Sequence, residues 1–255
     1  MRWAISAVFS VVGAIPAAVP GQFAAEKSLS MVKRDGRWAA VPLICDGTNH
    51  DRVLVLGAPG PDGRAELTAF AKPGLTAQRI AVRLGPGEPG AGQLYYPLYN
   101  LAGQRIGNMH AINPALVDRG ATTPTVTAVT IGGQATNCRF APQTRVLGVT
   151  ARRSVQVVRT ERAGYRYTSY DFDADLAEMA QPWGGRDTRA SLAVDGGRLV
   201  DQSGGRRSYE FTRRGFVYRV MVSVDPVHPG GGIEVSQDGR VVLREAFGAY
   251  TAALR

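Results

Sequence analysis

Cysteine is nearly absent from this 255-residue chain: Cys45 and Cys138 are the only two. Two thiols without CxxC spacing exclude a four-cysteine zinc site, a thioredoxin-type redox pair and a cysteine-dense scaffold. Histidine is almost as scarce, occurring at His50, His110 and His228 with no HxxxH or HxH spacing, so no metal site is expected. Lysine is confined to Lys27, Lys33 and Lys72, which leaves nearly all of the 30 basic side chains as arginine. Beyond the opening segment there is no apolar run long enough to cross a bilayer, and the basic residues form only pairs, never a block.

Catalytic signatures are missing as well. Gly85-Pro-Gly-Glu-Pro-Gly90 spells GxGxxG, but Pro86 and Pro89 are incompatible with the strand–turn–helix on which a dinucleotide pyrophosphate sits. Ser30-Met-Val-Lys33 spells SxxK with neither Ser-Asp-Asn nor Lys-Thr-Gly after it, and its position suggests frayed chain. No GxSxG occurs. Asp171-Phe-Asp173-Ala-Asp175 begins like a calcium loop but has Leu176 at the turn position and Pro182 at the last ligand position. No cofactor is expected.

What the chain does contain begins with an export address. Met1-Arg2 is a short positive region, Trp3 to Val12 is uncharged and mainly apolar, and Gly13, Pro16 and Pro20 follow, which is the pattern of a signal peptide over residues 1–25. A periplasmic or secreted location follows, without a transmembrane anchor after cleavage. In that compartment Cys45 and Cys138 are expected to pair, and closing so long a loop is worth about 4–5 kcal/mol by the chain-entropy model. The formal charge of +9 favours anionic partners in the cell envelope, though the scattered arginines do not suggest nucleic acid.

Turn residues recur every 8 to 12 positions or so, as they do between short antiparallel strands. Strands are expected at 37–44, 52–56, 65–71, 78–84, 93–99, 125–131 and 134–140, then at 145–150, 154–160, 165–172, 192–194, 198–200, 208–212, 216–224, 232–237 and 240–245. Gly132-Gly133 and Asp238-Gly239 mark hairpins. Two short helices are expected, Asp173–Gln181 ahead of Pro182 and Asn113–Val117 opened by Pro114. Segments 58–63, 85–92 and 229–232 read as loops. The expected fold is mostly β, an antiparallel sandwich or barrel-like sheets, with an N-terminal β region at 26–143 and a C-terminal one at 144–255. A single continuous domain over 26–255 is the alternative.

Two groups of residues attract functional attention. Tyr165, Arg166 and Tyr167, with Arg206 and Arg207, combine aromatic faces and guanidinium groups that can stack on sugars or grip anions, although aromatics on strands also serve as core. His50 sits between Asp46 and Asp51 in a polar turn, and His110 follows Gly107-Asn-Met, so a hydrolase with a dispersed site would be built around one of them. The favoured expectation is a non-enzymatic exported protein that binds an envelope protein or anionic polymer. A secreted hydrolase is the second reading. A structural module of an envelope assembly, marked by a free edge strand, is the third.

Overall fold

A computed structural model describes residues 28–113, 125–141, 143–160, 164–173 and 190–254. The signal segment and the bodies of both expected helices lie outside these residues. Among the described residues every regular element is a strand, so the fold is all-β.

The described chain opens with a hairpin, β1 (Ser28–Arg34) and β2 (Arg37–Ala40), reversed at Asp35-Gly36 with φ angles of 48° and 79°. The expectation of frayed chain at Ser30–Lys33 is therefore corrected: Met31 and Val32 are buried, and β1 is paired on both sides. The single strand expected over 37–44 is divided at Pro42, which has no N–H to donate to a ladder. Beyond it, β3 (Leu43–Asp46) belongs to a different sheet.

That second sheet continues through β4 (Arg52–Leu56), β5 (Arg64–Ala71), β6 (Thr76–Leu84), β7 (Glu88–Gly90), β8 (Gln93–Tyr99), β9 (Arg105–Ile112), β10 (Thr125–Ile131) and β11 (Gln134–Asn137). Its path runs β11-β10-β9-β8-β6-β5-β4-β3, and β7, in a segment expected to be loop, pairs onto β8. Gly47 then bridges to Cys138, joining the first strand of the path to the last and closing a small barrel. Alternation fills it: Leu43, Cys45, Leu54, Leu56, Val82, Leu98, Met109 and Val129 point inward. The disulfide between Cys45 and Cys138 lies on this seam with both cysteines buried, so the expected clasp holds the barrel shut.

The rest of the chain forms β12 (Thr144–Val149), β13 (Arg153–Arg159), β14 (Tyr165–Asp171), β15 (Leu192–Asp201), β16 (Arg206–Arg213), β17 (Phe216–Ser223), β18 (Gly231–Gln237), β19 (Arg240–Ala246) and β20 (Ala249–Ala253). Segments 192–194 and 198–200 are one strand, because Gly196, at φ 77°, and Gly197 carry the chain across the break. An 11-stranded antiparallel sheet results, ordered β19-β18-β17-β16-β15-β14-β13-β12-β20-β1-β2 and curled into a half-barrel. Its concave side holds a core rich in aromatics, with Tyr167, Tyr209, Phe211, Phe247 and Tyr250 buried. β1 and β2 thus pair into the sheet built by the second half of the chain, and a division at residue 143 does not coincide with the division into sheets.

The two sheets meet through residues that alternate away from their own cores. Ile44, Val53 and Val55, on the outside of the barrel, pack with Val32, Val149 and Ala249 from the back of the half-barrel. This is why β20, with the sequence Ala-Tyr-Thr-Ala-Ala, is buried throughout: Tyr250 faces the aromatic core and Ala249 the junction.

Candidate functional site

The pleat separates the five residues singled out in the sequence. Tyr167 is core, with ring centroids 5.6 Å from Phe211 and from Tyr218, and burial pushes its phenol up to about 12. Tyr165 stands edge-on to Tyr209 at 4.9 Å. Arg166 faces the other way, exposed, with Nε 2.6 Å from one oxygen of Asp195 and Nη2 3.2 Å from the other. Arg207 is buried and donates to the backbone carbonyls of Ala253 and Leu254, tying the end of β20 to β16, whereas its neighbour Arg206 is exposed. Arg166 and Arg206 share the outer face; the two tyrosines and Arg207 do not.

The histidines also part company. Asp46, a carboxylate proposed for His50, is engaged elsewhere, and the His50 ring has no hydrogen-bond partner among the described residues. His110 has both ring nitrogens occupied, one by Gln93 and the other by Thr127 Oγ1 at 2.8 Å, with Tyr95 stacked at 4.9 Å. Burial holds the His110 imidazole below its ordinary value. His228, set aside in the sequence, is the one with a carboxylate, Asp225 at 2.8 Å, and it is 78% exposed. No cluster of metal-binding side chains occurs among the described residues.

Asp46 itself sits at the junction of the sheets. It is fully buried, with Lys72 Nζ at 2.5 Å and Arg139 Nε at 2.7 Å, and those cations are nearly as buried. Lys72 also donates to the Gly47 carbonyl, and the aromatic rings of β14 and the turn after it cover both: Arg139 lies 3.4 Å above Tyr170, Lys72 5.0 Å from Phe172. Burial drives the carboxyl upward, but the charges and hydrogen bonds of Lys72 and Arg139 outweigh it and hold Asp46 below the usual carboxylate range. Enclosed on all sides, this group locks the barrel to the half-barrel and offers nothing to a ligand.

One face that meets solvent is the outer side of β15–β19. There the register places Arg198 opposite Glu210, Glu210 opposite Arg219, Arg219 opposite Glu234 and Glu234 opposite Arg244. Charge alternates across five strands. Arg198 and Arg219 reach the two oxygens of Glu210 at 3.0 and 2.9 Å, and Arg244 reaches Glu234 at 2.5 Å. These hydrogen bonds, from Arg219 and then Arg198, hold the Glu210 carboxyl below its ordinary value. The side chains of Glu210 and Glu234 are 16% and 18% exposed, those of Arg198 and Arg244 75% and 71%, so the glutamates lie beneath and the guanidinium groups on top.

The ladder as a whole is not legible in the sequence, although one part of it is. A two-residue reversal at Arg214-Gly215 sets Glu210 opposite Arg219, and the central charge changes sign from each strand to the next. Recognising it required the register of four strand pairs at once, two of which shift at bulges. Comparison with family models, with curated proteins and with solved structures gives no match for this chain.

Proposed function

We propose that this is an exported, non-enzymatic β protein that binds an anionic component of the cell envelope, polymer or protein, through the outer face of β15–β19. The observation that carries the reading is the layering of charge in the ladder. Carboxylates held beneath the arginines orient the guanidinium groups without occupying the surface, and an oriented planar fork loses little freedom when it meets a carboxylate or phosphate. Arg206, exposed and on the same face of β16 as Glu210, extends the cationic character at one end of the face.

A periplasmic or secreted location is part of this proposal. It is supported by the buried disulfide, which suits an oxidising environment, and by the apolar N-terminal segment. No helix among the described residues is long and apolar enough to cross a membrane. The binding reading is preferred to a hydrolase because neither His50 nor His110 has a carboxylate in bonding distance among the described residues.

The test is retention of the purified protein on envelope polysaccharide and on envelope protein extract at rising salt. Binding by four to six guanidinium groups or so should fall by roughly two to three orders of magnitude between 50 and 200 mM salt, by analogy with polyanion release of counterions. The double substitution R198Q/R244Q should weaken it further at fixed salt. Salt-independent retention, or retention unchanged in the double variant, would refute the proposal.

A further inference from the structure

The charge ladder stops at an open edge. β19 pairs with β18 on one side, and among the described residues no strand lies on the other. The last rung is Arg244, a cation, so the next position in the alternation calls for a carboxylate that the described chain does not supply there. On the same strand Val241 and Val242 are 50% and 56% exposed, unusual values for adjacent valines, with a register shift that places both near Ser236. The other edge of the sheet, β2, is only four residues long, and its Trp38 packs on Tyr250.

From these we infer that β19 is a docking edge for an extended, acidic segment of a partner protein, which adds to the half-barrel as a further antiparallel or parallel strand, sets a Glu or Asp beside Arg244 and covers Val241 and Val242 with an apolar side chain. Main-chain hydrogen bonds supply the attachment and the alternating side chains the selectivity. The inference rests on the reading of the outer face as an anion-binding surface and names its ligand as a strand. A second copy of β19 is a poor occupant: it brings Arg240 and Arg244, and its one acid, Glu245, is committed to Thr150 and Arg153. The bulge and the arginines act as the usual guards of an edge against self-pairing, and leave an acidic strand as the complement.

The probe is a capped peptide of about eight residues alternating Glu and Val, with a Lys–Val peptide of equal length as its counterpart. Binding to the full protein is followed by calorimetry and by amide hydrogen exchange. The Glu–Val peptide should bind, slow exchange at alternate amides within 240–246, and lose about tenfold in affinity in R244Q and more in R244E, while R37E, on the far edge, leaves it unchanged. R244E should also take up the Lys–Val peptide. Thermal unfolding of each variant separates loss of binding from loss of fold.

Peptide binding without protection of β19 amides would overturn the edge inference, as would no binding by a protein that still retains envelope polymer; in both cases the anion-binding face survives. Peptide binding to β19 with no affinity for any envelope component would leave the edge and remove that face. A dimer in sedimentation equilibrium that dissociates in R244E would assign the edge to a second copy and overturn the proposal.

Discussion

A carboxylate with no solvent exposure keeps its charge only where the attraction of its neighbours exceeds what it loses by leaving water, and Asp46 meets that condition with two cations. Its removal is the more damaging for this reason, since D46N leaves both Lys72 and Arg139 buried without their counter-charge. The expected cost is about 3–5 kcal/mol by urea denaturation. Because the folded state holds Asp46 below its ordinary value of 3.8, the stabilisation is present in full above that value and is lost as pH falls through the lower folded one. Stability measured from neutral pH downward should therefore drop below about pH 4, and the drop should be smaller in D46N. At the neighbouring positions in each strand, C45S/C138S releases a loop spanning 93 residues and should lower stability by about 3–5 kcal/mol, read as a shifted denaturation midpoint. The bond was legible from two cysteines in an exported chain; the charged group beside it was not, because Lys72 and Arg139 reach Asp46 from distant sequence.

Strands differ in how plainly they announce themselves. The hairpins at Gly132-Gly133 and Asp238-Gly239 were evident because positive φ is demanded locally, and the structure has it at all four positions. β9 and β20 were not evident. Gly107 interrupts the first, where an added Cβ would run into the Thr130 carbonyl, and the second is alanine-rich; both are strands because neighbours on each side pair with them. The charge ladder belongs to this scale too. Its pairs are on the surface, where an ion pair contributes little, so E210Q should cost less than about 1 kcal/mol in thermal or chemical unfolding. It should nevertheless weaken envelope binding, because Arg198 and Arg219 lose the acceptor that orients them. A large loss of stability in E210Q would mean that the ladder holds the sheet together.

At the scale of the whole molecule, the chain passes from half-barrel to barrel and back, and its first described strand completes the sheet made by its last. A fragment limited to 144–255 would leave β20 without β1 and the aromatic core without Met31, Leu29 and Trp38. That fragment should be far less stable than residues 28–255, with circular dichroism and thermal unfolding as the measure; a fragment as stable as the parent would show that the second half is self-sufficient. By itself the sequence determined the all-β class, most strand positions, the tight turns and the disulfide, since alternation, positive φ and a lone pair of cysteines act over a few residues or leave one pairing available. Only the tertiary structure decided that the barrel closes, that β20 and Met31 and Val32 of β1 are buried on both faces, that Tyr165, Arg166 and Tyr167 divide between core and surface, and that charges from five strands line up beside an edge with no further strand among the described residues. Those outcomes depend on strand order and register, which are settled by the burial of many side chains together and carry no mark at any single position.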